Sequence, residues 1–167
     1  IPFVSRTQLE MLQLLGRAGD AGRLEACLPE LAALLRRRLR QMYSLSLPLE
    51  DFLVTLRVSR KLEEFRVPSP AALATAQLAA IGKTLRPGQH VRLLLTRGEP
   101  GVHAWDLPYA PPASALDLER YRVLLLRAAA TVLQPLGLPE DRLESFIAEQ
   151  EHQTLLPGMH QAMAIAV

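Results

Sequence analysis

RVSRKLEEFRVPSPAALATAQLAAIGKTLRPGQHVRLLL, residues 57–95, changes character three times in fewer than forty positions. It opens as an extended run in which Arg57, Ser59 and Lys61 share one face, and Arg60 joins them where the run gives way to a turn. Ser69 followed by Pro70 is a helix start: a hydroxyl that accepts from free amides, then a proline that needs no amide partner. The alanine-rich run that follows extends to Ile81 and is stopped by Gly82. Pro87-Gly88 makes a turn. From His90 to Thr96 the pattern alternates, with Val91, Leu93 and Leu95 on one face and His90, Arg92 and Thr96 on the other, which predicts a strand paired with residues 103–107.

The flanks extend this mixture. Residues 48–52 read as a turn or one helical turn, leading into a β-branched, extended segment from Leu53 to Val58. Upstream, Leu24, Leu28, Leu31, Leu35, Leu39 and Met42 recur three and four apart, predicting a long amphipathic helix from Ala21 to Met42 that Pro29 kinks or restarts. Before it, Ser5 with Gln8 as reciprocal partner predicts a capped helix ending near Ala18. Downstream, Pro108, Pro111 and Pro112 mark a loop. Tyr121, Leu125, Ala128 and Val132 then mark a helix that ends by Pro135 and Gly137, and a last helix fits residues 139–150. The fold class expected is mainly α with a small β element (α+β), laid out as N-terminal helices (1–56), a basic core and strand (57–98), a loop and C-terminal helices (99–156), and a tail (157–167).

A net charge of +2 conceals a strong polarity. Residues 57–98 hold eight Lys or Arg and two Glu, whereas residues 99–167 hold four Arg and nine acidic residues. That distribution suits a polyanionic ligand for the middle segment, and equally a solvated basic face. Arg36, Arg37, Arg38 and Arg40 also cluster, but near a helix C-terminus, where cations complement the dipole; their reading is structural. The single cysteine, Cys27, excludes an intramolecular disulfide and reads as a small core residue. No apolar run approaches the roughly 20 residues that span a bilayer, and no signal peptide opens the chain, so a cytoplasmic protein without membrane contact is expected.

Catalytic signatures are missing. The acidic doublets Glu50-Asp51, Glu63-Glu64 and Glu140-Asp141 are adjacent in sequence, so their carboxylates diverge and read as surface charge. His90, His103, His152 and His160 lack the spacing of a zinc pair, and no phosphate loop or dinucleotide fingerprint is present. With four Phe, three Tyr and one Trp, stacking platforms for single-stranded bases are scarce. The remaining fit is to duplex backbone. Arg57, Arg60, Lys61 and Arg66 pair with phosphates, and Ser59 and Ser69 assist, the latter beside the positive end of a helix. Lys83 and Arg86 add longer-range attraction.

In this order the residues resemble the thumb subdomain of family B DNA polymerases. The likeness rests on Ser59-Arg60-Lys61-Leu62 with Phe65, on Pro70 to Ala80, and on Gly82 with Pro87-Gly88 before Val91 to Leu95; Asp117, Tyr121, Leu125 and Ala128 match the family's late helix, and the helix from Ala21 to Met42 is similar to the one that follows the palm. The sequence departs from the common pattern at Ala71, where His is frequent, and at Phe65, where Tyr is. The resemblance implies a helical thumb-like subdomain that holds primer-template duplex by phosphate contacts across its minor-groove side. Its partners would be that duplex and the palm and other domains of the same polymerase, a DNA-directed nucleotidyltransferase of replication or repair. The chain alone is expected to be non-catalytic, a polymerase fragment or separately made thumb, with no cofactor of its own; Mg is implied only for the palm. The alternative is a helical protein-interaction module derived from such a thumb, packing its leucine stripes on a partner.

Overall fold

The structure, a computed structural model, describes residues 1–59 and 68–151. It is mainly α-helical with one small antiparallel sheet. Two compact units form, each discontinuous in sequence: Ile1–Phe3 with Leu45–Arg122, and Val4–Ser44 with Val123–Val167.

The first unit is built on β1 (Val54–Arg57), β2 (His90–Leu95) and β3 (Val102–Ala104), in that spatial order. Thr55 lies opposite Arg92 and Arg57 opposite His90, while Leu94 faces His103. Val91, Leu93 and Leu95 are buried, as the alternation predicts, and Leu94 on the opposite face is buried as well. Helix α3 (Pro70–Ala79) packs against β2 and β3. Its Gln77 closes the open edge of β3, donating from Nε2 to the Val102 carbonyl at 2.9 Å and accepting from the Ala104 amide at 2.8 Å. An edge strand otherwise presents such groups to any passing chain.

An aromatic cluster anchors the unit. Phe52 lies 5.1 Å from the ring of Phe3 and 5.1 Å from that of Tyr121. The fully buried Tyr121 hydroxyl donates to the Phe52 carbonyl at 2.7 Å and accepts from the Leu95 amide at 2.9 Å. It therefore fastens β2 to the short 3-10 turn Leu49–Phe52, satisfying two buried backbone groups that water cannot reach. Burial pushes the Tyr121 pKa up to about 12.

The second unit is helical, formed from most of α1 (Pro2–Ala18), from α2 (Ala21–Tyr43), from most of α4 (Leu118–Leu133) and from residues 143–151. Its core is apolar: Met11, Leu31, Leu35, Leu133, Leu143 and Phe146 are all buried together. Three side chains tie the helices across that core. Arg38 pairs with Glu10, Arg36 donates to the Ile147 carbonyl at 2.9 Å, and Gln8 donates to the Ala128 carbonyl at 2.9 Å.

Several elements differ from those expected, among them β3, which is Val102–Ala104 where a strand over residues 103–107 is expected, and α3, which ends at Ala79 and not at Ile81. Helix α1 starts at Pro2 and carries Ser5 inside it, because a proline at the first helical position needs no amide partner; Gln8 reaches Ala128, so no capping box forms at Ser5. Helix α2 runs through Pro29 without a break and is capped by Asp20, whose carboxylate accepts from the Arg23 amide at 2.9 Å. Leu31, Ala32, Leu34 and Leu35 just beyond Pro29 are buried, and that packing outweighs the one lost hydrogen bond. The last helix opens as a 3-10 turn, Glu140–Arg142, before turning α-helical.

Candidate functional site

The basic segment folds back on itself at Arg86-Pro87-Gly88-Gln89. The Gln89 amide donates to the Arg86 carbonyl at 3.1 Å, and Gly88 adopts φ +94°, the geometry of a type II turn with proline and glycine in its two central positions. The turn is docked on the end of β1. Gly88 donates to the Val58 carbonyl at 2.7 Å, and Val58 donates to the Gln89 carbonyl at 2.8 Å. Two residues from separate parts of the sequence, Arg57 and Arg86, thereby come to one end of the sheet with Ser59, and all three are exposed. The Arg57 guanidinium lies over the turn: a Cβ added to Gly88 would meet its Nη2 at 3.7 Å. No ion pair among the described residues engages Arg57, Arg86 or His90.

The other expected donors fall elsewhere or out of view. Ser69 is the N-cap of α3, its hydroxyl accepting from the Ala72 amide at 3.2 Å, with Pro70 at the first helical position. The hydroxyl's acceptor capacity is thus partly spent on the helix, while the free amides of the first turn remain the positive end of the dipole. Lys83 donates from Nζ to the Asp106 carbonyl at 2.7 Å, and so is tied to the loop after β3. Arg60, Lys61 and Arg66 lie outside the described residues, as do Glu63, Glu64, Phe65, His152, His160 and the tail.

Two further basic residues lie on the polar face that the strand alternation defines. His90 stands directly across from Arg57, and Arg92, two residues on, shares its face with Thr55. Arg92 is engaged: its Nη2 donates to Asp106 Oδ1 at 2.7 Å. Nothing in the local sequence signals that pairing, because Asp106 lies fourteen residues away beyond a second strand.

Among the described residues no three His, Cys, Asp or Glu side chains come together in a group that could hold a metal ion. A groove of about 510 Å3 runs between the end of α3 and the proline-rich loop, lined by Gln77, Ile81, Arg97, His103, Tyr109 and Pro111 among others. His103 donates from Nε2 to the Tyr109 carbonyl at 2.9 Å and Arg97 donates to the Ser114 carbonyl, so these donors serve the groove's own walls. No described helix is long and apolar enough to cross a membrane.

No family model matches the chain, and no curated protein matches it. Among solved structures it is similar to the family B DNA polymerase from the hyperthermophilic archaeon Pyrobaculum calidifontis, with a TM-score of 0.63 and 17% sequence identity. The similarity covers 77% of this chain and 17% of that polymerase chain. At such identity the likeness is one of fold.

Proposed function

We propose that this chain is the thumb of a family B DNA-directed DNA polymerase and that its basic segment grips the phosphate backbone of duplex primer-template without catalysing a reaction itself. One observation carries the reading: the turn at Pro87-Gly88, docked on Val58, gathers Arg57, Ser59 and Arg86 at one exposed end of the sheet, where no ion pair among the described residues engages either arginine. Guanidinium groups in that state suit phosphate oxygens, which accept from them without regard to base sequence. Arg60, Lys61 and Arg66, which follow closely in the sequence, add to its positive charge. The fold likeness to a family B polymerase supports the assignment, as does the positive balance of residues 57–98. Nucleotide addition and its metal ions belong to the rest of such a polymerase.

The test is duplex binding followed by fluorescence anisotropy at several salt concentrations. If four phosphates are neutralised, log affinity falls against log salt with a slope of about −3.6. Arg57→Ala and Arg60→Ala each weaken binding equally for unrelated duplex sequences. A flat salt response, or normal binding by both variants, overturns the proposal.

A second reading rests on α1, where Leu9 and Leu12 are 55% and 54% exposed. Two large apolar side chains one turn apart on the same helix suit packing on a protein partner. Capture of a defined protein that Leu9→Ser releases, by a chain that leaves duplex DNA unbound, would favour this interaction module over the thumb.

A further inference from the structure

We infer that the phosphate grip extends from Arg57 over the exposed half of the sheet face to His90 and Arg92, and that Asp106 is the resident anion there, displaced from Arg92 when DNA backbone binds. The inference rests on the proposed duplex grip and adds residues and a regulating carboxylate to it.

The antiparallel register places Arg57 opposite His90 and Thr55 opposite Arg92. Residues two apart on a strand share a face, so these four form a two-by-two array on one side of the sheet, and all four are exposed. Leu94, next along the same face, is buried, which confines the open part to the end that borders the Pro87-Gly88 turn. The patch is therefore continuous, through Arg57, with Ser59 and Arg86, and it offers two guanidinium groups, an imidazole and a hydroxyl to an oxyanion.

What the patch recognises is already visible in it. The Asp106 carboxylate accepts from Arg92 at 2.7 Å, and the Asp106 backbone carbonyl accepts from Lys83 Nζ at 2.7 Å. A carboxylate and a phosphate present similar oxygen acceptors to a guanidinium, so the same donor serves either. The Arg92 and Asp106 side chains are 48% and 45% exposed. A pair so open to water is held only weakly and can be exchanged for a stronger anion. Lys83 holds the backbone and not the carboxylate, so the loop stays in place while the side chain leaves. Asp106 then acts as a brake: it occupies Arg92 until a phosphate displaces it, and it repels backbone that approaches only partway.

Trp105 makes the exchange observable. It is the chain's single tryptophan, it precedes Asp106, and its amide donates to the Arg92 carbonyl at 2.9 Å. Its emission is recorded while the full chain is titrated with a duplex of mixed sequence, alongside anisotropy of the labelled duplex. Asp106→Asn strengthens duplex binding roughly two- to fivefold at low salt by removing the competing charge. Arg92→Ala weakens binding, lowers the magnitude of the salt slope by about 0.9 and abolishes the effect of Asp106→Asn in the double variant. The emission change on adding duplex is present in the wild type and lost in Arg92→Ala. Unchanged affinity in Asp106→Asn, or an equal gain in the Arg92→Ala background, overturns the inference while binding that depends on Arg57 leaves the grip itself standing. Absence of duplex binding in every variant removes both.

Discussion

Arginines gather both near the end of α2 and around the Pro87-Gly88 turn, yet they are put to opposite uses. In the helical unit Arg38 is committed to Glu10 and Arg36 to the Ile147 carbonyl, so two of the four cations fasten helices together. In the sheet unit Arg57 and Arg86 stand at the end of a strand and at the start of a tight turn, and among the described residues neither makes an ion pair. The difference is one of secondary structure. A helix stacks its side chains over neighbouring turns and neighbouring helices, where carboxylates and carbonyls are within reach, whereas a strand end beside a turn projects its side chains into water. Clustered charge in a sequence thus marks a binding surface where its internal partners are absent or, as for Arg92 with the exposed Asp106, open to water and exchangeable.

The units also differ in what holds them, and the largest effects follow from that. The helical unit rests on apolar burial, so Leu35→Ala, at a fully buried position, costs about 2–5 kcal/mol in chemical denaturation. The sheet unit rests on a polar hub. Tyr121→Phe keeps the ring but strands the Phe52 carbonyl and the Leu95 amide, costing about 1–3 kcal/mol. Its pH signature separates it from a packing defect. With the folded pKa raised to about 12 from 10.0, the unfolded chain loses the tyrosine proton first as pH rises. Tyr121 therefore contributes its full stabilisation below about pH 10 and loses it progressively towards pH 12, a decline that Tyr121→Phe removes. A denaturation series from pH 8 to 12 on both proteins checks it; an identical alkaline decline in the variant would place the titration elsewhere.

The contrast between the two groups of arginines is broken most directly by exchanging the measurements. Arg38→Ala leaves Glu10 without its partner and lowers stability by about 1 kcal/mol while leaving duplex affinity unchanged. Arg57→Ala leaves stability unchanged and weakens duplex binding roughly fivefold to tenfold. If Arg38→Ala weakens duplex binding as much as Arg57→Ala does, the division into fastening and binding arginines fails.

Much of this could be read before any coordinates, and what could not has a common cause. Ser69-Pro70 and Gly82 mark the limits of α3 because capping is local chemistry, and His90–Leu95 is legible because alternation has only one structural meaning. The expected long helix survives Pro29 because tertiary packing overrides a local penalty, which periodicity cannot weigh. The helical stripe marks Tyr121 as buried but cannot show that its hydroxyl joins Phe52, 69 residues away, to Leu95. The site divides in the same way. Arg57 and Arg86 read as basic from the sequence alone, but their meeting depends on the hydrogen bonds between Val58 and the turn. The tie between Arg92 and Asp106 depends on the register of two strand pairs.

The smallest effect tests the one expected donor whose two roles pull apart. Ser69 caps α3 through its hydroxyl, and it stands where a phosphate would meet the free amides of the first turn. Ser69→Ala removes the cap and costs about 1 kcal/mol, whatever the protein binds. Ser69→Asp keeps a capping oxygen, because aspartate is as good at that position as serine, and it adds a negative charge at the positive end of the helix. A purely structural serine therefore tolerates aspartate in denaturation and in duplex binding alike. A serine beside a bound phosphate tolerates it in denaturation only: the carboxylate occupies the amides and repels the backbone, so duplex affinity falls about threefold at low salt and the difference fades as salt rises. Measuring both variants in both assays separates the roles, and equal affinity for Ser69→Asp and wild type would confine the grip to the strand, the turn and the arginines beside them.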